Sequence, residues 1–218
     1  DVTEDGFVVR VDMRLRPYGD AGPLAGSFPM LESYYLTQGR EWERYAWIKG
    51  RPICGSRYEE LAQMLRPFVF RKYLDFGAFS SMRELHGQIR REVQRRELSQ
   101  NIKLGPGGIR EIEFIAQVFQ LIRGGKESVL QVRPTLEVLE LLGQRGLLPQ
   151  RTVAELRDAY VFLRNLEHRL QYLEDAQTQT LPASEADCGI VAASMGFAGH
   201  PEFLRELDGH RSRVTRHL

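Results

Sequence analysis

Arg10, Asp12, Arg14 and Arg16 alternate with Val9, Val11, Met13 and Leu15 in the run 6–16. A period of two predicts a half-buried strand, with the apolar residues turned to a core and the charged ones to the other face. Side chains two apart on such a face stand about 6–7 Å apart. One carboxylate among three guanidiniums suits a phosphate group with a divalent cation. Asp12 would take the cation, and the arginines would take the phosphate oxygens. The same pattern also fits an exposed strand face whose charges pair with carboxylates on a neighbouring strand.

A second constellation runs from Lys103 to Phe114, where Gly105-Pro106-Gly107-Gly108 leads into a helical pattern opening at Ile109. Backbone N–H groups at a helix start, together with the helix dipole, form an anion-binding geometry. Lys103 and Arg110 add positive charge. No Lys-Ser/Thr pair follows the glycines, so this is not a Walker A loop. A plain turn, with Glu111 and Glu113 compensating the dipole, is the competing reading. His86, His168, His200, His210 and His217 lack metal-ligand spacing, which argues against zinc. Arg83, Arg90, Arg91, Arg95 and Arg96 are interleaved with Glu84, Glu92 and Glu97, the pattern of a solvated helix face rather than a nucleic-acid surface.

The elements that position these groups are mostly helical. Pro17 ends the strand, and the glycines and prolines of 17–26 predict a loop. Ser27 is placed to cap a helix over 28–37, Gly39 breaks it, and 41–48 resumes with Trp42, Tyr45 and Trp47 at core spacing. The segment 51–54 suggests a short strand. Ser56 with Glu59 matches a capping box for a helix ending near Pro67. Further helices are expected over 76–98, from Ile109 to Gly124, after Pro134, from a capping box at Thr152 to about Asp175, and over 185–196 and 201–217. The fold class is α+β, mostly α, with one domain over 1–99 and a helical bundle over 100–218.

The chain has 218 residues, 42% hydrophobic and 27% charged, which fits a globular protein. Thirty basic residues against 29 acidic ones leave a formal net charge of +1, too balanced for a protein that lives by non-specific nucleic-acid binding. No apolar run approaches the roughly 20 residues needed to span a bilayer. Cys54 and Cys188 are too far apart in sequence for a disulfide framework or metal cluster, and fit a reducing, cytoplasmic setting. The first residue is Asp rather than Met, which reads as a segment of a longer polypeptide.

Four stretches together resemble one family. Val11-Asp-Met-Arg-Leu-Arg-Pro-Tyr-Gly-Asp-Ala-Gly-Pro-Leu24 and Gln38-Gly-Arg-Glu-Trp-Glu-Arg-Tyr-Ala46 are similar to signatures of glutamine synthetase adenylyltransferases, also called adenylyl-removing enzymes. Asn101-Ile-Lys-Leu-Gly-Pro-Gly-Gly-Ile-Arg-Glu-Ile-Glu-Phe-Ile-Ala-Gln-Val-Phe-Gln-Leu-Ile-Arg-Gly-Gly125 looks like their central loop and helix. Leu163-Arg-Asn-Leu-Glu-His-Arg-Leu-Gln171, followed by Gln177-Thr-Gln-Thr-Leu-Pro182, looks like their helical C-terminal signature. The resemblance covers essentially the whole chain. It implies part of a polymerase-beta-like nucleotidyltransferase domain followed by a helical bundle. The first two stretches look more like the module that removes AMP from glutamine synthetase by phosphorolysis than the module that adds AMP from ATP.

In such enzymes three carboxylates bind Mg2+. Asp12 matches the third, and the paired aspartates of the family's Gly-Ser-x-x-Asp-x-Asp pattern are absent from these residues. The resemblance therefore implies Asp12 as metal ligand, Arg14 and Arg16 as phosphate neutralisers, and Lys103, Gly107, Gly108 and Arg110 around a phosphate. Glu113 would support the site from its helix. Phosphate and ADP, or ATP, would be the substrate nucleotides. Adenylylated glutamine synthetase and the PII signal protein would be partners, with no nucleic acid and no membrane. A non-catalytic module that docks glutamine synthetase or PII, and the adenylylating module, are the competing readings.

Overall fold

The computed structural model describes residues 2–3, 6–7, 12–70, 87, 91, 98–173 and 178–218. They divide into two compact units, Asp1–Val69 and Phe70–Leu218. The helix expected over 76–98 lies almost entirely outside the described residues.

The first unit begins with a small hairpin in which β1, Val2–Thr3, pairs antiparallel with β2, Gly6–Phe7. The strand expected to continue to residue 16 does not do so: residues 13–18 form turns. The cause is local. Asp12 Oδ1 accepts the Arg14 backbone N–H at 3.0 Å, which diverts a donor a sheet ladder would need. Pro17 has no N–H to offer, and Tyr18 and Gly19 both take left-handed backbone angles that bend the chain.

Three helices follow: α1, Phe28–Thr37; α2, Glu41–Lys49; and α3, Tyr58–Val69. Ser27 Oγ accepts the Met30 N–H and caps α1 as expected. At the start of α2 the Glu43 carboxylate reaches back to the Arg40 N–H at 2.8 Å and also accepts the Tyr34 hydroxyl. Gly39 makes the tight α1–α2 link possible, since a Cβ there would lie 2.5 Å from the Phe68 ring. Arg44, Tyr45 and Ile48 form the buried face of α2, and Trp42, expected in the core, is 38% exposed at its edge. Residues 51–54 form no strand, and Pro52 again removes a ladder donor. Pro67 does not end α3 but lies within its last turn.

The second unit is a helical bundle. Its described helices are α4, Ile109–Arg123; α5, Thr135–Gln144; α6, Gln150–Tyr172; α7, Glu185–Ser194; and α8, His200–His217. The long α6 runs through the middle and packs against α4, α5, α7 and α8. Leu156, Ala159, Leu163, Leu166 and Leu170 repeat at intervals of three and four, so one stripe faces the core. Ile109, Ile112, Leu139, Leu142, Phe203, Leu207 and Val214 meet that stripe. Ahead of α4, Asn101 bridges antiparallel to Thr180, and the Ile102 N–H donates to Gln179 O at 2.8 Å. Pro134 takes the N-cap position rather than the first helical one. Thr152 does not cap α6, because the helix has already begun at Gln150 behind Pro149.

The far end of α8 is tied to α6. Glu155 accepts from Arg151 Nε at 2.9 Å and pairs with His217 Nε2 at 2.7 Å. Hydrogen bonds from Arg151 first and His217 second pull the Glu155 carboxyl from its ordinary 4.5 to about 2. A lowered carboxyl stabilises the fold above its unfolded value, and the effect fades as pH falls towards the folded one. Glu155→Gln is therefore expected to lower the thermal midpoint at pH 6. The gap to wild type should shrink as pH falls from about 4.5 towards 2. A gap that stays constant across that range would mean the carboxylate charge is not its source.

Candidate functional site

The Asp12 loop lies in the first unit. Asp12 Oδ1 accepts both the backbone N–H and the Nε of Arg14 at 3.0 Å, and Oδ2 accepts Arg14 Nη2 at 2.9 Å. This fork, led by the Arg14 side-chain hydrogen bond, pulls the Asp12 carboxyl down to about 2, so it is ionised at neutral pH. The pair is exposed, with side chains 40% accessible for Asp12 and 73% for Arg14. Arg16 departs from the expected role. Its guanidinium donates to the carbonyls of Met13, Asp20 and Gly22 and so braces the 12–22 loop. Asp12 and Arg14 thus come together as expected, through a turn rather than a strand face, and Arg16 is engaged by backbone.

Whether these residues fit Mg2+ follows from the donor set. Asp12 is a single carboxylate whose two oxygens are held by Arg14, and the described residues contain no group of three His, Cys, Asp or Glu able to hold a metal. Taken alone they do not make a Mg2+ site.

The glycine-rich loop lies in the second unit. Asn101 Oδ1 accepts the N–H groups of Lys103 (3.0 Å) and Leu104 (2.8 Å) and folds the loop on itself. The Gly107 N–H donates to Glu111 Oε2 at 2.8 Å, and the Gly108 N–H donates to Gly105 O at 3.0 Å. The two amides expected to cradle a phosphate therefore already have partners within the chain. The helix start is occupied by a carboxylate of its own first turn, buried Glu111. The glycines serve close packing as well. At Gly107, where φ is +67°, a Cβ would lie 2.2 Å from Arg211 O of α8. The Arg211 side chain ties the same loop by donating to Pro106 O (2.7 Å) and Ser99 O (2.8 Å).

The charged groups around this loop form a seam between α4 and α6. Lys103 Nζ lies 3.3 Å from Glu167 Oε1, and Arg164 Nη1 lies 2.6 Å from Glu167 Oε2. Glu113 accepts from the Tyr160 hydroxyl at 3.4 Å, and burial raises the Tyr160 hydroxyl above its ordinary value. Arg110 is exposed on the first turn of α4. Lys103 and Glu113 thus both face α6, while Gly107 and Gly108 face α8 and their own loop. Sequence reading did not assign Tyr160, Arg164, Glu167 and Arg211 to the site. The available signal was the spacing of Tyr160, Arg164 and Glu167, which places three polar groups on one face of a helix otherwise rich in leucine.

The family model for GlnD PII-uridylyltransferase matches residues 83–218, and that for glutamate-ammonia ligase adenylyltransferase matches residues 1–66. A bifunctional glutamine synthetase adenylyltransferase/adenylyl-removing enzyme of Aromatoleum aromaticum is 66% identical over all 218 residues. The chain belongs to this adenylyltransferase/adenylyl-removing family. Relatives of the same description from Nitrosomonas eutropha and Chromobacterium violaceum are 64% and 62% identical, again across 100% of the chain. The chain spans about a quarter of their length: 23% of the Aromatoleum enzyme and 24% of each of the other two. As a member of this family it carries the Asp12 loop within the match over residues 1–66 and the Lys103 loop within the match over residues 83–218. No helix among the described residues is long and apolar enough to cross a membrane.

Proposed function

We propose that this chain is part of the adenylyl-removing module of a bifunctional enzyme. The module takes AMP off a tyrosine of glutamine synthetase by phosphorolysis. The observation that carries this reading is 66% identity along the entire chain to an enzyme whose name includes both activities. The stretches 16–23 and 42–46 favour removal over addition. Residues 1–99 then complete a polymerase-beta-like nucleotidyltransferase domain, and residues 100–218 form the helical domain that follows it in sequence. The Asp12 loop and the Lys103 loop are each proposed to contact phosphate oxygens. The PII signal protein is the proposed regulatory partner, and the cytoplasm the proposed location.

In the proposed step an oxygen of inorganic phosphate attacks the phosphorus of tyrosyl-AMP. The bond from phosphorus to the tyrosine oxygen breaks, the phenolate takes up a proton, and ADP leaves. Such a transfer depends on positioning and on neutralising charge at the phosphoryl oxygens. Ionised Asp12 would orient Arg14 towards that charge. Mg2+ is proposed for the complete enzyme, with Asp12 one of several carboxylates around it.

The reading is tested with adenylylated glutamine synthetase and 18O-labelled phosphate in the complete polypeptide. Label should appear in the β-phosphate of ADP as AMP is lost from the tyrosine. Release of free AMP, or a requirement for ATP in place of phosphate, would overturn it. The 218-residue chain by itself, with a single candidate metal carboxylate, is expected to show no removal in the same assay. Turnover by the chain near the rate of the complete protein would show that no further carboxylates are needed.

A further inference from the structure

Glu167 is a buried carboxylate, 2% exposed, at the centre of the α4–α6 seam. One cation would suffice to compensate a buried carboxylate. Glu167 has two, one on each oxygen: Lys103 at 3.3 Å and Arg164 at 2.6 Å. Both cations are anchored on rigid elements. Lys103 follows the Asn101 turn, and its carbonyl accepts the Arg110 N–H at 3.0 Å; Arg164 stands one turn before Glu167 on α6. Neither cation is buried. The Lys103 side chain is 36% accessible and that of Arg164 is 39% accessible. Lysine carries three N–H donors and arginine five. Only one donor of each goes to Glu167, and the rest have no partner among the described residues.

Glu113 of α4 accepts the Tyr160 hydroxyl, and Glu111 of the same helix accepts the Gly107 N–H. Arg110, one turn before Glu113, has no ion-pair partner among the described residues. Lys103 and Arg164 are thus two cations on the single carboxylate Glu167, which leaves one positive charge uncompensated within this triad. The loop amides of Gly107 and Gly108 are already engaged, so an anion here would be held by side chains.

We propose that Lys103 and Arg164, oriented by Glu167, form a binding site for a phosphate-type dianion. Glu167 is a positioning residue: it fixes both cations from below and leaves their outer donors to the anion. The anion's identity as the reacting phosphate rests on the phosphorolysis reading above; the site itself does not.

Inorganic phosphate, ADP and ATP are titrated calorimetrically into the 218-residue chain near neutral pH, with wild type compared to Arg164→Gln and Lys103→Met. Each variant loses charge-assisted hydrogen bonds to the anion, and binding should weaken tenfold or more. Arg157→Gln, which removes a guanidinium paired with Glu140 at 3.2 Å, should bind as wild type does. Thermal melts confirm that each variant folds. Tightest binding of phosphate assigns the site to the free anion, and tightest binding of ADP or ATP assigns it to a nucleotide phosphate. Absence of binding by wild type, or equal affinity in wild type and Arg164→Gln, would overturn the proposal. A separate kinetic arm uses the complete polypeptide. If the anion is the reacting phosphate, Arg164→Gln should raise the KM for phosphate tenfold or more and leave the KM for adenylylated glutamine synthetase unchanged. Weakened binding with an unaltered phosphate KM keeps the anion site and removes its link to phosphorolysis.

Discussion

Asp12→Asn in the complete polypeptide is expected to cut AMP removal from glutamine synthetase by about a hundredfold or more, the usual scale for losing preorganised charge at a reacting phosphoryl group. The substitution isolates charge from shape. An asparagine Oδ1 can still accept the Arg14 backbone N–H that Asp12 accepts at 3.0 Å, so the turn at 12–14 persists. The lost ion pair is exposed, with Arg14 73% accessible, and pairs of that kind contribute little to stability. The thermal midpoint should therefore stay close to wild type while the rate collapses. The assay is ADP formation from adenylylated glutamine synthetase at saturating phosphate, with a melt on the same preparation. A variant that works at the wild-type rate would reduce Asp12 to an organiser of its own turn.

Gly107→Ala is expected to have the largest effect on folding. Two penalties coincide at this position. The backbone is left-handed, with φ at +67°, where a Cβ is disfavoured. That Cβ would also lie 2.2 Å from Arg211 O and 2.6 Å from Arg211 Cα, backbone atoms of α8 that cannot rotate away. Relief requires moving α8 off the loop, and with it the Arg211 bonds to Pro106 O and Ser99 O. A loss of about 3 kcal/mol or more is expected from overpacking plus backbone strain. Chemical denaturation of the 218-residue chain measures it. Gly146→Ala is the comparison, because that glycine also has positive φ, +66°, but nothing within 4 Å of its Cβ. If both variants lose the same amount, the dihedral alone is responsible and the contact with α8 carries no weight.

The helices of the second unit were legible because amphipathic periodicity is a property of neighbouring residues. The spacing of Ile109, Ile112 and Ile115, and of the leucines in α6, places them on one face whatever the partner turns out to be. The Asp12 loop misled for a related reason. Alternation over 6–16 is a valid strand signal, but a strand needs a neighbour to accept its hydrogen bonds. The Asp12 carboxylate instead captures Arg14 within its own turn. Trp42 shows the limit of spacing on a short helix: Arg44, Tyr45 and Ile48 fill the inward face, and the indole remains at the edge.

Residue types and order alone placed the chain in its family and marked Asp12, Lys103 and the glycine-rich loop as the places to look. Only the tertiary structure decided what those residues do. The loop amides are taken by Glu111 and Gly105, and Gly107 is small because α8 passes against it. Lys103 meets Glu167, 64 positions away in sequence. Sequence order encodes what a residue can offer and the local turn or helix that carries it. Which donors remain free depends on groups brought together by packing of the leucine core, and that depends on long-range contacts no local pattern contains.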